Sequence, residues 1–459
     1  MKRKISVLMV LLILVSTLSS CANSAETVNE SYRTEQLSAL ISQQDISQLS
    51  SNTATLENQN RKEFTPCFES ELIQILKGAT LLAAGGGGSY SLGESILNEF
   101  KIQNPEETIY FELYDPAQMD PDESTYSVAI MGSPTAHASA ADLSRCALLA
   151  YSETTALAER FGKNPQYAIA LELGGANTLI PLLCAIKYSP KVLDADLCGR
   201  AVPGLETMLS SINGLPTAPF ALTDSNGNSY DFIMSEPCDA AAVESSAVAI
   251  LNHLQTNGGV TGYYYSSGEV INNLPTHTLT RCLRIGQTIE AFENMTIEER
   301  QAQPLFNILN EENQDIRCVT LTEKASPVFD FHQEPAGGGA RDKGYYYLGK
   351  KDVPGKYFYV QFNNESMAVS VLTESGTFKC LATAPCIIAM YDENTGMPLT
   401  NADLKEQVQS NGGENLSVVL GIIDIDSNWW KNPSSVVSAW QPYWEEAGYT
   451  GGLVRYPFN

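Results

Sequence analysis

Apolar positions along the chain follow two patterns in succession. Between residues 66 and 256, strand-like runs such as 108–113 and 126–131 alternate with helical patterns such as 138–161. This alternation predicts a layered domain whose strands pair at least partly in parallel. From 257 to 459, short strand-like runs separated by turn residues dominate. We therefore expect an α/β fold of two domains, an N-terminal α/β layered domain with a mixed or parallel sheet and a C-terminal β-rich domain.

The first 20 residues have the pattern of a bacterial signal peptide. Basic residues 2–4 precede an apolar run over 5–18, and Leu-Ser-Ser stands before Cys21. This arrangement resembles a lipobox, so we expect Cys21 to be lipidated and to become the mature N-terminus. Ordinary secretion and an uncleaved anchor are the alternatives. Residues 21–65 are rich in Ser, Asn, Gln, Thr and Glu, which predicts a disordered polar tether.

Composition narrows the expected location and partners. The 28 basic and 53 acidic residues give a formal net charge of −25, which argues against nucleic acid and against docking on anionic lipid. We therefore expect an extracytoplasmic protein of the cell envelope that contacts the membrane through its N-terminal lipid only. The expected partner is a small-molecule substrate. The oligomeric state is open, and a homo-oligomer is one alternative.

Cysteine and histidine do not define a cofactor. The ten cysteines and four histidines show neither a C-x-x-C pair nor the ligand spacing of a zinc site. No cofactor is therefore assigned from the sequence. A divalent metal such as zinc, held by carboxylates, Cys198 and His137, stays as an alternative, and disulfide pairing is open.

Four successive glycines precede a predicted helix near residue 91. Backbone N–H groups of Gly86, Gly87, Gly88 and Ser89 can approach a ligand closely, and the helix N-terminus favours negative charge. The sequence is neither a G-x-G-x-x-G fingerprint nor a P-loop. We predict that these residues bind the ligand; a tight turn without a ligand is the alternative.

Polar residues are concentrated between residues 172 and 206. Glu172 and Asn177 follow a predicted strand, and Asp194, Asp196 and Arg200 follow the next one. In parallel sheets, ligands bind beyond the carboxyl ends of strands. We therefore expect four loops to converge on one site: 85–89, 132–135, 172–177 and 194–200.

Several motifs resemble those of one family, the S-methyl thiohydantoin desulfurase family, whose members often neighbour hydantoinases. They occur in the family's order and span roughly residues 68–425. The motifs are Ala84–Gly88, Met131–Thr135, Glu172–Asn177, Asp194–Pro203, Thr223–Gly227, Arg281–Gly286, Gln361–Glu365 and Ala384–Thr400.

The resemblance implies hydrolysis at a carbon of a five-membered cyclic imide, with oxygen replacing sulfur. It makes Asp196 or Glu172 the base, with Asp194 as the neighbouring carboxylate that raises the pKa of the base. Arg200 would stabilise the developing anion, since its guanidinium is permanently charged. The N–H groups of residues 86–89 would act as an oxyanion hole.

Two further residues complete the predicted ligand set. Asn177 would hold the N–H and C=O edges of the ring, and Thr135 belongs to the motif after the second predicted strand. Each assignment has a structural alternative. Arg200 and Asp196 can form an ion pair that clamps a loop, and Glu172 or Asn177 can cap the helix predicted over 179–188. Cys198 as a nucleophile lacks a nearby histidine.

Two features depart from the family pattern. The family usually continues the arginine motif as Arg-Ala-x-Pro-Glu, whereas Gly204 follows Pro203 here and the next acid is Glu206. The lipoprotein signal is the second departure. The sequence therefore favours a membrane-tethered hydrolase of a thiohydantoin-like or hydantoin-like compound. A non-catalytic binding lipoprotein that kept the pocket and an envelope interaction protein are the alternatives.

Overall fold

A computed structural model describes most of the chain beyond residue 62. It covers residues 63–132, 139–224, 226–254, 257–313, 315–322, 325–334, 341–411 and 416–458. The predicted signal peptide, Cys21, nearly all of the predicted tether, Thr135 and His137 lie outside these ranges. Within them, none of the helices combines the length and apolar character needed to cross a bilayer.

Eight strands form the sheet of the N-terminal part. Their order is β1-β2-β5-β4-β3-β8-β6-β7, and the central pairs β2–β5, β5–β4 and β4–β3 are parallel while the outer pairs are antiparallel. The predicted mixed sheet is thus confirmed. The strands are β1 Phe64–Phe68, β2 Tyr110–Tyr114, β3 Ser124–Met131, β4 Pro165–Ala170, β5 Lys191–Asp196, β6 Phe220–Thr223, β7 Ser229–Phe232 and β8 Gly258–Gly262.

Six helices accompany this sheet. They are α1 Glu69–Leu82, α2 Tyr90–Gln103, α3 Ala140–Arg160, α4 Leu179–Tyr188, α5 Leu209–Ile212 and α6 Ala240–Leu254. The longest, α3, begins with a capping box, since Ser139 Oγ accepts from Asp142 N at 3.1 Å and Ser139 N donates to the Asp142 carboxylate at 3.3 Å. Its apolar positions at helical spacing, including Leu143, Ala147 and Ala150, are buried.

The C-terminal part combines two antiparallel sheets with six helices, which confirms the β-rich prediction. One sheet has the order β10-β11-β12-β13-β14 and the other β15-β16-β9, and they bury a core of their own that includes Val360 and Ile388. The strands are β9 Cys318–Thr320, β10 Val328–Gln333, β11 Lys343–Gly349, β12 Tyr357–Asn363, β13 Glu365–Leu372, β14 Phe378–Thr383, β15 Ile387–Asp392 and β16 Val418–Ile423. The helices are α7 Ser267–Asn273, α8 Thr278–Glu293, α9 Ile297–Ala302, α10 Leu305–Glu312, α11 Asn401–Asn411 and α12 Pro433–Glu446.

Helices α1 and α8 pack so closely that each presents a glycine to the backbone of the other. A Cβ on Gly78 would lie 2.0 Å from the carbonyl oxygen of Cys282, and one on Gly286 would lie 1.8 Å from that of Gln74. Only a residue without a side chain permits this approach. The described chain from residue 63 onward forms one compact unit with a shared main core.

Two details refine the predicted limits of the domains. β1 begins at Phe64, so the last two residues assigned to the tether belong to the sheet. β8 lies just beyond the predicted boundary at 256, yet it pairs with β3 and β6 of the first sheet. The boundary itself stays a prediction.

Candidate functional site

A cavity of about 150 Å³ lies beyond the carboxyl ends of β3 and β4, where ligands bind in parallel sheets. We call it the carboxylate cavity. The glycine-rich turn, the segment after β4, the 202–205 loop, helix α6 and the start of β13 surround it. Its polar lining residues include Glu172, Asn177, Glu244, Arg341 and Glu365.

Glu172 and Asn177 are held together at one wall of the carboxylate cavity. Glu172 Oε1 accepts from Asn177 Nδ2 at 2.8 Å, and Glu172 Oε2 accepts from Val202 N at 2.8 Å. Asn177 Oδ1 in turn accepts from Ile130 N at 3.0 Å. Burial raises the pKa of Glu172 to about 7, and these hydrogen bonds oppose the rise.

Neither of these side chains caps helix α4. Its N-cap is Thr178, which makes no side-chain capping bond, so the capping alternative for Glu172 and Asn177 is wrong. Glu172 and Asn177 instead line the carboxylate cavity. The sequence predicted that the loop 172–177 contributes to a ligand site.

The glycine-rich turn is hydrogen-bonded to the segment that carries Asn177. Gly87 O accepts from Ala176 N and Asn177 N at 3.2 and 3.1 Å, and Gly88 O accepts from Gly175 N at 3.0 Å. A Cβ on Gly87, whose φ is +65°, would lie 2.5 Å from Leu173 O, so this contact requires glycine. The predicted convergence of loops 85–89 and 172–177 is therefore present.

The four predicted residues of the turn occupy different positions. Gly87 and Gly88 line the carboxylate cavity, whereas Gly86 and Ser89 do not. A Cβ on Gly86 would lie 2.0 Å from Glu365 Oε1, so Gly86 gives room to that carboxyl. The Ser89 hydroxyl caps α2 by accepting from Leu92 N at 3.2 Å, since Ser is a preferred N-cap residue.

Asp194 and Asp196 lie on β5 outside the lining of the carboxylate cavity. Asp196 Oδ1 accepts from Cys198 N at 2.6 Å and from Gly199 N, and burial raises its pKa to about 7. Burial is the principal cause of this rise, not the neighbouring Asp194 that the sequence suggested. Asp194 Oδ1 accepts from Leu279 N and Thr280 N, both at 3.0 Å, and so binds the first turn of α8.

Arg200 is fully buried and also lies outside the lining. Its Nε donates to Ala201 O at 2.7 Å, and its Nη1 donates to Cys386 O at 2.9 Å. The guanidinium lies over the ring of Trp440, 5.0 Å from the centroid. Its buried Nη2 makes no hydrogen bond within the described chain, and the alternative ion pair with Asp196 does not form between these two described residues. The roles of Asp194, Asp196 and Arg200 in catalysis stay predictions.

Three charged residues that line the carboxylate cavity were not predicted from the sequence: Glu244, Arg341 and Glu365. Glu244 Oε2 accepts from Leu205 N at 3.3 Å, and its Oε1 lies 3.5 Å from Arg341 Nη1. Burial raises the pKa of Glu244 to about 7 and that of Glu365 well above its ordinary value. A signal existed for Glu244, which is the one acidic residue in the apolar sequence of α6. Glu365 ends one of the quoted motifs.

Models of two domains of one known family match adjoining parts of the chain. The S-Me-THD-like N-terminal domain matches residues 70–233, and the S-Me-THD-like C-terminal domain matches residues 238–410. The chain belongs to the S-Me-THD-like family. The resemblance to the S-methyl thiohydantoin desulfurase family found in the sequence is thereby confirmed.

A solved structure supports the fold of this S-Me-THD-like chain. The crystal structure of a protein from Chromobacterium violaceum superposes with a TM-score of 0.68 at 22% identity, covering 85% of this chain and 99% of that one. At this identity the likeness concerns the fold alone. No curated protein matches the sequence.

The space around Gly204 is filled by two side chains. A Cβ at Gly204 would lie 2.2 Å from the Tyr443 hydroxyl and 3.1 Å from Glu206 Oε2. The Tyr443 hydroxyl donates to Glu206 Oε1 at 2.5 Å. The carboxylate of Glu206 therefore lies next to the place from which a side chain at 204 would extend, although the acid is two positions later in the sequence.

Metal-ligating residues are dispersed in the described part of this S-Me-THD-like chain. No three His, Cys, Asp or Glu side chains there are grouped so that they could hold a metal ion. Cys198 is buried, and its thiol donates to Leu171 O at 3.6 Å. The nine described cysteines are all free. Because His137 lies outside the described residues, the zinc alternative stays a hypothesis.

Proposed function

We propose that the protein is a membrane-tethered, extracytoplasmic hydrolase that acts on a small five-membered cyclic imide of the thiohydantoin or hydantoin type. One observation carries the proposal: Glu172 and Glu244, both with pKa values of about 7, line the same cavity. Near neutral pH each is present in both protonation states. One can therefore accept a proton while the other donates one.

The size of the carboxylate cavity suits a single small ring. Its volume is about 150 Å³. An engineered apolar cavity of about 150 Å³ in another protein binds benzene, which has one ring of similar size. Leu143, Leu171 and Val260 supply apolar walls, and the polar groups are grouped at Glu172, Glu244 and Arg341. This combination is typical of small-molecule sites.

In the proposed reaction, water attacks the ring carbon that carries sulfur, and Glu172 accepts the proton of that water. Glu172 is suited to this because two hydrogen bonds, from Asn177 and Val202, stabilise its carboxylate form. The resulting tetrahedral carbon then expels the sulfur as a thiol. As the C–S bond breaks, the protonated Glu244 carboxyl gives its proton to the departing thiolate, and the remaining hydroxyl proton moves to the ring nitrogen as the new C=O forms. The net reaction consumes one water and releases one thiol; Glu172 then holds a proton and Glu244 has lost one, and exchange with solvent restores both.

Negative charge that develops on the ring would be stabilised by Arg341 and by the glycine-rich turn. Arg341 lines the cavity and lies over the Tyr443 ring, 4.6 Å from the centroid. Gly87 and Gly88 present backbone to the same space. Arg200 acts from outside the lining: burial raises the pKa of Glu172, and the charge of Arg200 opposes that rise. This gives Arg200 a positioning role.

The test follows the ultraviolet absorbance of a panel of thiohydantoins and hydantoins with the full chain, with and without zinc. Glu172→Gln and Glu244→Gln should each abolish turnover of any substrate, since each removes one proton-transfer group. Glu69→Gln is the matched control, because Glu69 lies outside the cavity lining and its side chain, which is 42% exposed, pairs with Lys101 at 2.6 Å. Turnover that persists in both cavity variants would exclude this mechanism.

A non-catalytic binding lipoprotein is the second candidate. It is favoured by the position of Asp196 and Arg200 outside the cavity lining, and by the glycine at position 204. In that case a hydantoin-like ligand raises the melting temperature of the full chain without being converted. Arg341→Gln should then remove the rise, because Arg341 is the cation that lines the cavity in the described residues.

A further inference from the structure

A second and larger cavity, of about 350 Å³, shares no lining residue with the carboxylate cavity. We call it the arginine cavity. The segment before α8, the first turn of α8 and the segment after β16 surround it. The 199–205 loop contributes Gly199 to the arginine cavity and Val202–Leu205 to the carboxylate cavity. The charged residues that line the arginine cavity are His277, Arg281, Asp315, Arg317, Asp424, Asp426 and Arg455.

Three guanidiniums line the arginine cavity beside three carboxylates, although the chain as a whole is strongly acidic, with 53 acidic and 28 basic residues. Arg317 Nη2 and Arg455 Nη2 both donate to the carboxylate of Asp424, which is 6% exposed. One carboxylate therefore holds two guanidiniums and neutralises only one of their charges. Each guanidinium has five N–H donors, so both keep donors for a further acceptor.

Arg281 has no carboxylate partner among the described residues. Its Nε is buried and makes no hydrogen bond within the described chain, and its Nη2 reaches only the carbonyl oxygen of Asp424, at 3.5 Å. Burial lowers the pKa of Arg281. The charges of Asp315 and Asp426 offset part of this burial cost without hydrogen-bonding the guanidinium, so an anion that accepts from the unpartnered Nε would offset more of it.

The other acidic groups at the arginine cavity already have partners. Asp315 pairs with Arg284 at 2.6 Å, and Asp426 Oδ1 accepts from Asn428 N at 2.8 Å. The first N–H groups of α8 donate to Asp194, so the site does not depend on the helix N-terminus. After the pairing of Asp315, three guanidiniums face the two carboxylates Asp424 and Asp426.

We propose that the arginine cavity binds a small oxyanion through Arg281, Arg317 and Arg455. The planar guanidinium matches the geometry of a carboxylate or a phosphate. A carboxylate-bearing organic acid fits better than inorganic phosphate, because the cavity also has apolar walls that would cover a carbon skeleton. These walls are Leu82, Leu173, Pro275 and Ile425. The site is independent of the reaction proposed for the carboxylate cavity.

The test is calorimetric titration of the full chain with succinate and, separately, with inorganic phosphate at constant ionic strength. Arg281→Gln should weaken binding about tenfold or more, since it removes charged hydrogen bonds. Arg160→Gln is the matched control: Arg160 pairs with Asp231 at 2.6 Å and lines neither cavity, so binding should be unchanged.

Each outcome of the titration decides the proposal. If succinate binds and Arg281→Gln weakens that binding, the cavity is an oxyanion site for an organic acid. If phosphate binds and Arg281→Gln weakens that binding, the cavity is an oxyanion site for phosphate. If Arg281→Gln does not fold, Arg455→Gln takes its place, with the same loss expected. Absence of heat with both probes at millimolar concentration, or wild-type affinity in the folded variant, overturns the proposal.

Discussion

Asn177 donates from Nδ2 to Glu172 Oε1 at 2.8 Å while its Oδ1 accepts from Ile130 N at 3.0 Å. The amide thus ties the carboxyl of Glu172 to the end of β3. The sequence suggested that Asn177 holds the ring of a ligand, whereas these contacts make it the residue that orients Glu172. Its effect on the pKa of Glu172 can be measured.

Asn177→Ala should shift the acidic limb of the pH–turnover profile to higher pH. The lost hydrogen bond stabilises the Glu172 carboxylate, so its removal raises the pKa of Glu172 further above about 7. A hydrogen bond to a charged group contributes about 1.5–3 kcal/mol, or roughly 1–2 pH units. Asn294→Ala, which removes an exposed amide bonded to Glu290 O, should leave the limb in place. An unmoved limb in Asn177→Ala would contradict the assignment of Glu172 as base.

The free energy of unfolding should fall as the pH rises from about 5 to 8. Glu244 has a pKa of about 7 in the folded protein against an ordinary value of 4.5, so the folded state holds the proton more tightly. Its contribution is therefore fully present below pH 4.5 and is lost as the pH rises through about 7. A shift of this size corresponds to roughly 3 kcal/mol.

Glu244→Gln, which mimics the protonated carboxyl, should reduce this fall in stability by up to about 3 kcal/mol. The measurement is chemical denaturation at pH 5 and pH 8 for wild type and variant. Glu69→Gln serves as the exposed control and should keep the wild-type difference. An equal fall in wild type and Glu244→Gln would show that this carboxyl does not retain its proton through folding.

Gly286→Ala should destabilise the protein although alanine is the better helix former. The new Cβ would lie 1.8 Å from Gln74 O, so α8 would have to move away from α1. Overpacking of this kind costs about 1–3 kcal/mol, which exceeds the roughly 1 kcal/mol gained in helix propensity. Gly268→Ala, in α7 with no atom within 4 Å of its Cβ, should be neutral or slightly stabilising in the same denaturation experiment.

Gly204→Ala should be destabilising because of one hydroxyl group. The Cβ would lie 2.2 Å from the Tyr443 hydroxyl oxygen and 3.0 Å from its Cζ. In a Tyr443→Phe background the cost should be smaller, though not zero, since the ring carbon remains close. A double-mutant cycle of unfolding free energies measures the coupling, which we expect to be about 0.5–3 kcal/mol for contacting residues. Additive effects of the two substitutions would argue against this contact.

Cys21→Ser should release the protein from the membrane. The lipobox-like sequence predicts that the thiol of Cys21 carries the lipid, and hydroxyl oxygen cannot replace it in that linkage. Metabolic labelling with palmitate and membrane fractionation provide the measurement. Cys238→Ser removes the exposed cysteine among the described residues and should keep both the label and the membrane association.

Local patterns predicted the elements around the site well. Helix α4 has the predicted limits 179–188. β3 begins two residues before the predicted start and ends at the predicted residue, and α3 begins two residues later and ends one residue earlier than predicted. Periodicity and caps are properties of neighbouring residues, so they can be seen in the sequence. The motifs likewise placed the glycine-rich turn beside Glu172, because both follow strands or helices that end at the same edge of the sheet.

The sequence by itself determined the fold class and the family, and it identified Glu172, Asn177, Gly87 and Gly88 as candidate site residues. The tertiary structure alone decided that Asp194 binds the first turn of α8, that Arg200 donates to Cys386 O, and that Glu244 and Arg341 meet in the cavity. The reason is that a charged side chain selects its partner by distance in space. Those partners are 85, 186 and 97 residues away along the chain, and no local pattern records such distances.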